Sequence, residues 1–200
     1  MFKGTGLDRI KQSDEALKQS ERRLADIIDF MPAATLAIDL EGKVIVWNKS
    51  MEILTGVKAE EMLGKDNYES SVPLYSFRRP MLVDMILMPS PNFEAEYMNF
   101  QRGENAVMGE VFIPSLGPRG SYLLAKAAAL YNAQGDLVGA IESIIDMTER
   151  KLMEQRLERT RTELSIAAEI QKSFTPGKPP EIPRFEIAAV SRTAMEVGGD

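Results

Sequence analysis

The spacing of the apolar residues changes repeatedly along this 200-residue chain, and the order of these changes restricts the fold more than any other feature. Over residues 7–31 apolar side chains recur every seven positions among charged ones, which predicts an amphipathic helix with a narrow stripe: Ile10, Leu17, Leu24 and Met31, joined by Ile27 and Ile28. Pro32 ends this helix, because proline lacks the amide proton that a helix interior needs. A stripe this thin predicts burial against a partner surface.

Beyond Pro32 the apolar residues alternate with polar ones, as in half-buried strands. The predicted strands cover residues 34–38, 44–48, 93–100, 107–113, 122–131 and 137–145. Gly42 is predicted to allow the turn between the first two, and Asn48 to cap a helix that ends at Gly56. Because strands flank a middle of short helices and loops, the sequence predicts an α+β fold with an antiparallel sheet.

Trp47 is the single tryptophan, and its orientation follows from the same alternation. Trp47 and Ile45 are predicted to share one face of their strand, and Val44 and Val46 the other. Since one pair must point away from the core, we expect Trp47 to pack under the N-terminal helix or against a second subunit.

At Asp146 the pattern becomes helical without an intervening loop. Asp146 and Glu149 are spaced as a capping box, with Asp146 as the N-cap. Apolar and small residues then follow at alternating steps of four and three, which predicts a two-stranded coiled coil: Met153, Leu157, Thr160, Leu164, Ala167 and Phe174. Thr160 and Gln171 occupy polar core places, and Pro176 and Gly177 end the helix.

Composition excludes several classes of function. The 24 basic and 30 acidic residues give a net charge of −6, which argues against a nucleic-acid partner. The 200 residues contain no cysteine, which excludes a thiolate metal site and a cysteinyl flavin adduct within them. They also contain no histidine, which excludes a histidine-ligated haem, a serine–histidine triad and a histidine phosphoacceptor. No apolar run approaches the roughly 18 residues that span a bilayer. We therefore expect a cytoplasmic protein with no membrane partner.

Five groups of residues carry a resemblance to a known family: Glu41–Asn48, Leu54–Gly56, Glu61–Lys65, Gly135–Ile141 and Asp146–Arg150. In this order and spacing over Arg22–Glu149 they resemble a PAS sensor domain. The resemblance implies a PAS-like antiparallel sheet with a helical middle, flanked by the N-terminal amphipathic helix and the C-terminal coiled-coil helix.

The last part of the chain, Thr162–Asp200, resembles the start of a metal-dependent PPM-type serine phosphatase of the stage II sporulation protein E branch. The resemblance rests on residues 163–164, 167–171, 182–183, 185–188 and 196–200. It implies that Asp200, after paired glycines, binds the catalytic manganese or magnesium in a longer parent, whose substrate is a phosphorylated regulatory protein. We expect these 200 residues alone to have no catalytic residues and no enzymatic activity, because one carboxylate does not hold a divalent cation against water.

A ligand site inside the PAS core is a further expectation. Ala125, Ala127 and Ala129 are small enough to leave an interior cavity, whereas the twelve methionines are able to fill it. The residues expected to line such a pocket are Ile38, Val46, Leu54, Met62 and Ala127. The core therefore holds either an unidentified small ligand or none.

Together these patterns divide the chain into an N-terminal helix (1–23), a PAS sensor domain (24–147), a coiled-coil signalling helix (148–175), and a linker with the first strand of a truncated phosphatase domain (176–200). We expect a homodimer, formed through the coiled coil and the N-terminal helix, that relays a signal to the phosphatase. Two alternatives stay open: a ligand-free dimerisation scaffold, and a PAS module of another signalling output. The absent histidine disfavours a histidine-kinase fragment.

Overall fold

The structure, a computed structural model, describes residues 6–174. The helices are α1 (Gly6–Phe30), α2 (Lys49–Thr55), α3 (Ala59–Met62), α4 (Val72–Tyr75), α5 (Leu82–Leu87), α6 (Pro91–Glu94) and α7 (Thr148–Phe174), with a 3₁₀ turn at Glu69–Ser71. The strands are β1 (Ala34–Asp39), β2 (Val44–Trp47), β3 (Met98–Arg102), β4 (Ala106–Ile113), β5 (Ser121–Tyr131) and β6 (Leu137–Asp146).

The strands form one six-stranded antiparallel sheet in the order β2-β1-β6-β5-β4-β3. This confirms the predicted α+β fold with strands grouped at both ends of a helical middle. The first strand lies beside the last, and Ala34 at the start of β1 pairs with Ile144 near the end of β6. The apolar core lies between one face of the sheet and the short helices α2–α5, and it includes Leu36, Met51, Leu82 and Ile144.

The hairpin between β1 and β2 has the predicted turn. Gly42 has a φ of 80°, which glycine adopts without steric cost. The Asp39 carboxylate accepts hydrogen bonds from the amides of Glu41 and Lys43, at 3.0 and 2.9 Å, and so fixes the turn from its own strand end.

The predicted orientation of Trp47 is wrong, because a β-bulge interrupts the alternation. Ala37 pairs with Val46 and Ile38 pairs with Val44, so Ile45 is an extra residue on β2. Val44 and Trp47 consequently share the core face, at 2% and 4% exposure, while Ile45 is 50% exposed. The Trp47 indole N–H donates to the carbonyl oxygen of Val57 at 3.1 Å.

Asn48 caps α2 as predicted and also ties α2 to two other segments, the end of α1 and the start of β1. Its Oδ1 accepts from the amides of Thr35 and Met51, both at 2.9 Å, and its Nδ2 donates to the carbonyl oxygens of Ile28 and Ala33, both at 3.0 Å. The buried amide is thereby bonded to the end of α1, the start of β1 and the first turn of α2. Gly56 ends α2 in the left-handed conformation, also as predicted.

The predicted strand over residues 93–100 is wrong in its first half. Pro91 occupies the first turn of α6, and the amides of Phe93 and Glu94 donate to the Ser90 carbonyl oxygen. Proline favours this position because its φ is preset and its missing amide proton is not needed there. The strand therefore begins only at Met98.

The described chain divides into two compact units after Thr148, and the second unit consists of α7 from Glu149 onward. The helix begins within two residues of its predicted start. Within α7 the seam residues Met153, Leu157 and Leu164 are 66%, 66% and 40% exposed. On α1 the stripe residues Leu17 and Leu24 are exposed as well. Coiled-coil pairing through these residues stays a prediction.

Candidate functional site

The five residues expected to line a pocket separate into two groups. Ile38, Met62 and Ala127 are buried in the core, and Leu54 packs against its edge. Val46 lies on the opposite face of β2, because the bulge at Ile45 reverses its orientation, and it lines a groove of about 460 Å³ beside α1. Ligand binding at these residues stays a prediction.

The stripe of small residues on β4 and β5 allows bulky groups to approach the sheet closely. A Cβ atom at Gly109 would lie 2.7 Å from the Cβ of Tyr97, so Tyr97 packs directly on the glycine backbone. Ala127, beside Glu142 on the neighbouring strand, is fully buried. Elsewhere methionines occupy the core, and Met51, Met62, Met81 and Met85 are each at most 4% exposed.

Glu142 lies at the middle of the core face of β6, between Leu36 on β1 and Ala127 on β5. Its side chain is 1% exposed, and its Oε2 accepts a hydrogen bond from the Val83 amide at 2.8 Å. Burial raises the pKa of the Glu142 carboxyl to about 8, and the nearby charge of Asp84 acts in the same direction. The carboxyl is therefore mainly protonated at neutral pH.

Asp84 is a second carboxyl group with a raised pKa, and it lies in the first turn of α5. Its Oδ2 accepts from the Met81 amide at 2.8 Å and so caps the helix. Burial raises the pKa of Asp84 to about 6, against the opposite effect of its backbone hydrogen bonds. Two carboxyls of different acidity thus face the start of one short helix.

Tyr75 and Tyr97 extend this polar cluster towards α6. Their hydroxyl oxygens lie 3.4 Å apart, and burial raises the pKa of both hydroxyls, so both stay neutral. Arg79 stacks beside them, with its guanidinium carbon 4.5 Å from the Tyr75 ring centre. We call Tyr75, Arg79, Asp84, Tyr97 and Glu142 the buried polar cluster, in which Arg79, Tyr97 and Glu142 are buried and Tyr75 and Asp84 are half-buried.

The end of β6 is fixed to β5 where the chain passes into α7. Met147 donates from its amide to the Tyr122 carbonyl oxygen at 2.8 Å, and the Tyr122 amide donates to the Thr148 hydroxyl at 2.9 Å. The Thr148 amide donates to Asp146 Oδ1 at 2.8 Å, so the Asp146 carboxylate accepts a hydrogen bond from the first residue of α7. Asp146 is nevertheless the last residue of β6, and Met147 occupies the position directly before the helix where Asp146 was predicted. Only Met147 separates strand from helix.

An apolar groove of about 550 Å³ lies at the same edge of the sheet. Its lining includes Pro32 and Ala34 from the start of β1, Ile53 from α2, and Ile144 and Ile145 from β6. Ile53 and Ile145 are 78% and 50% exposed. The groove therefore leaves apolar surface open beside the strand that leads to α7.

Sequence reasoning missed the whole buried polar cluster. For Glu142 a signal exists, because the alternation of its strand places it on the same face as Ala140 and Ile144, where a charged residue is unexpected. Arg79 and Tyr75 lie in a stretch without clear periodicity, and their burial depends on how α4, α5 and α6 pack.

The expected metal ligand Asp200 and the phosphatase-like segment over residues 176–200 lie outside the described residues. Within residues 6–174, no group of three or more acidic side chains is arranged to hold a metal ion. Over the same range, no helix combines the length and the apolar character that crossing a membrane requires.

Comparison with known families and proteins gives concordant matches. The family described as PAS fold matches residues 22–147. Among curated proteins, the chain is similar to the signal transduction histidine-protein kinase AtoS of Escherichia coli (strain K12), with 28% identity over 155 residues. The match covers 76% of this chain and 23% of the kinase, so the chain spans less than a quarter of that relative's length.

Two solved structures are similar in fold. One is the PAS domain of Bordetella pertussis BvgS, with 22% identity, a TM-score of 0.47, and coverage of 73% of this chain and 98% of that chain. The other is an RNA-binding light-oxygen-voltage receptor, with 17% identity, a TM-score of 0.48, and coverage of 71% of this chain and 37% of that chain.

Proposed function

Because the chain belongs to the PAS-fold family, we propose that its PAS domain senses a signal in the core and relays it through β6 into α7. The observation that carries this proposal is the junction at residues 146–148. A single residue separates strand from helix, and hydrogen bonds to Tyr122 hold that residue against β5. A shift of β6 therefore moves the start of α7 directly.

The position of β6 in the sheet supports the same role. It pairs with β1 on one side and β5 on the other, and Glu142 on this strand contacts the first turn of α5 through Val83. A change in the core that displaces α5 thus acts on the strand that leads to α7.

We further propose that two copies pair along α7, with α1 contributing to the dimer. The exposed seam residues Met153, Leu157 and Leu164 support this, because apolar side chains at heptad spacing are stabilised by a partner helix. Thr160, a polar residue at a core position of the predicted coiled coil, is expected to lower the stability of the helix pair.

Light scattering tests the dimer at about 100 μM, a concentration at which a coiled coil of this length is expected to be paired. We expect a dimer for the wild type and a monomer for the double variant Leu157→Asp plus Leu164→Asp. The matched control is Glu158→Asp plus Glu163→Asp, which changes the same helix off the seam. A monomeric wild type, or an unaffected double variant, would contradict the proposal.

The relay is tested by distance measurement between spin labels. The chain has no cysteine, so Glu158→Cys introduces a single labelling site on α7. We expect Glu142→Leu, which removes the acceptor of the Val83 amide, to change the distance distribution between the two labels of a dimer. Glu142→Gln keeps that acceptor and is the matched control, and insertion of two glycines between Met147 and Thr148 should abolish the response of the leucine variant while leaving the dimer intact. An unchanged distribution in Glu142→Leu would contradict the relay.

As output, we propose a PPM-type serine phosphatase that acts on a phosphorylated regulatory protein in the cytoplasm. The resemblance of residues 162–200 supports this, with Asp200 as a manganese or magnesium ligand in the longer protein. The test is manganese-dependent release of phosphate from a phosphoserine protein by that longer protein. Activity in the wild type and its loss in Asp200→Asn are expected, and activity that survives the substitution would refute the assignment.

Two other functions have their own supporting observations. Similarity to the kinase AtoS favours a histidine-kinase output, which phosphorylation of a histidine downstream of residue 200 would reveal. The methionine-filled core favours a ligand-free dimerisation scaffold. Native mass spectrometry of the purified chain separates sensing from scaffolding, since a retained small molecule supports sensing and an empty core in every preparation supports the scaffold.

A further inference from the structure

A cavity of about 230 Å³ lies between the β1–β2 hairpin and one face of α5. Asp84 and Leu87 of α5 and the adjoining Met88 form one wall, and because they are spaced three and four positions along the chain, their side chains share one face. The opposite wall comes from the hairpin turn at residues 40–42 and from residues 67–68. A water molecule occupies roughly 30 Å³ in the liquid, so the cavity has room for a ligand of about seven groups of that size.

The lining of this cavity carries negative charge without a compensating cation. Among the described residues, the lining includes two acidic side chains, Asp84 and Glu41, and no lysine or arginine. Asp84 is half-buried, and its Oδ2 accepts a hydrogen bond from the Met81 amide at 2.8 Å. Within residues 6–174 no basic side chain forms an ion pair with Asp84. A carboxylate that is partly withdrawn from water is stabilised by a cation, so the cavity offers a cationic ligand an unpaired partner.

The rest of the lining favours an organic cation over a metal ion. Leu40 and Met88 are both exposed, so the cavity presents apolar surface beside its carboxylates. Tyr68 adds an aromatic ring, and the face of such a ring attracts an ammonium group. A divalent metal ion takes about six or more oxygen ligands, whereas the described part of the chain has no three acidic side chains placed to hold one. An ammonium ion with short alkyl groups matches both the charge and the apolar surface.

We propose that this cavity binds a small organic ammonium ion, with its charge beside the Asp84 carboxylate and its alkyl groups against Tyr68 and Leu87. Asp84 lies in the first turn of α5, and the preceding residue, Val83, donates its amide to Glu142 on β6 at 2.8 Å. A ligand on Asp84 would therefore act on the helix that contacts β6. The ligand's role as a signal rests on the proposed relay, but its binding is measurable without the relay.

The probes are choline and butylammonium, titrated into the whole 200-residue chain at constant ionic strength. The uncharged analogue is the alcohol in which a carbon atom replaces the nitrogen of choline. Calorimetry measures binding, and NMR follows the carboxyl carbon of Asp84 and the amide of Gly42, which belong to opposite walls of the cavity. We expect saturable binding of at least one ammonium ion, a shift of both signals, and binding of the alcohol that is weaker by about tenfold or more.

The variants separate the charge of the site from its aromatic ring. Asp84→Asn removes the charge, keeps an oxygen that is able to accept the Met81 hydrogen bond, and should weaken ammonium binding by about tenfold or more. Tyr68→Leu removes the ring and should weaken binding by a smaller factor, whereas Tyr68→Phe keeps the ring and should bind as the wild type does. Asp66→Asn is the matched control, because it removes a neighbouring exposed charge outside the cavity lining. Should Asp84→Asn fail to fold, the comparison of the two Tyr68 variants decides the question.

Four results would overturn the proposal: no saturable binding of either ammonium ion, equal binding of the uncharged alcohol, equal binding by the wild type and a folded Asp84→Asn variant, or preferential binding of magnesium or calcium. The spin-label experiment keeps this site and the relay apart. Saturable binding together with an unchanged α7 distance in Glu142→Leu refutes the relay and leaves the site standing. A response to Glu142→Leu without ammonium binding refutes the site and leaves the relay standing.

Discussion

Replacing Glu142 by glutamine should make the protein more stable at neutral pH, and the gain should disappear in acid. The carboxyl is 1% exposed, and burial raises its pKa from 4.5 to about 8. In the unfolded chain the same group ionises near its ordinary pKa. Folding at neutral pH therefore requires Glu142 to take up a proton, which costs free energy.

The sign and size follow from proton linkage. Below pH 4.5 Glu142 is protonated in both the folded and the unfolded state, so it does not change the free energy of unfolding. Between pH 4.5 and about 8 only the unfolded state loses this proton, so the free energy of unfolding falls as the pH rises. At roughly 1.4 kcal/mol per pH unit, this loss reaches about 3 kcal/mol at pH 7 and about 5 kcal/mol above pH 8. Glutamine is neutral at every pH, and its carbonyl oxygen is able to accept the Val83 amide hydrogen bond.

Urea unfolding followed by circular dichroism at pH 4.5, 6, 7 and 8 measures this difference. We expect Glu142→Gln to match the wild type, or to be slightly less stable, at the lowest pH and to exceed it by about 3 kcal/mol at pH 7. Asp84→Asn is the companion variant. The pKa of Asp84 is raised from 3.8 to about 6, so this carboxyl lowers the stability of the wild type as the pH rises through that interval. Asp84→Asn should remove this loss of stability and no other part of the pH dependence.

Parallel stability curves for the wild type and Glu142→Gln across this pH range would refute the reasoning. They would mean that the carboxyl ionises in the folded state as easily as in water, and so that it is not buried in the core.

Two further predictions concern backbone contacts. Asn48→Asp keeps the oxygen that caps α2 but removes the two hydrogen bonds that the Asn48 amide donates to the end of α1 and the start of β1. Urea unfolding should therefore show a free energy of unfolding lower by about 1–3 kcal/mol, and an unchanged midpoint would contradict this assignment. Gly139→Ala should disrupt the pairing of β1 with β6, because the new Cβ would lie 2.2 Å from the Ile38 carbonyl oxygen. The control Gly103→Ala meets its nearest atom at 3.5 Å and should leave the thermal midpoint unchanged, and equal effects of the two alanines would count against the contact.

Features set by a few neighbouring residues were predictable from the sequence. The turn at Gly42, the cap at Asn48 and the end of α2 at Gly56 depend on local backbone preferences and local hydrogen bonds, and the structure has all three. The long strands β4, β5 and β6 were predictable as well, since their alternation extends over many residues.

Features that depend on distant partners were not predictable. Trp47 faces the core only because β2 bulges where it pairs with β1, and no local pattern at Ile45 marks the extra residue. The burial of Arg79 depends on Phe93 and Tyr75, which short helices bring together from separate parts of the chain. The candidate site therefore required the tertiary structure.

The pairing of Ala34 with Ile144 has a consequence for how such modules combine in longer proteins. The chain arrives from α1 and departs towards α7 at one rim of the sheet, on adjacent strands. Under the proposed relay, a displacement of the segment before β1 would therefore reach the last strand through the backbone hydrogen bonds that join β1 to β6. The strand that reports on the core would then also report on whatever precedes the domain in the chain.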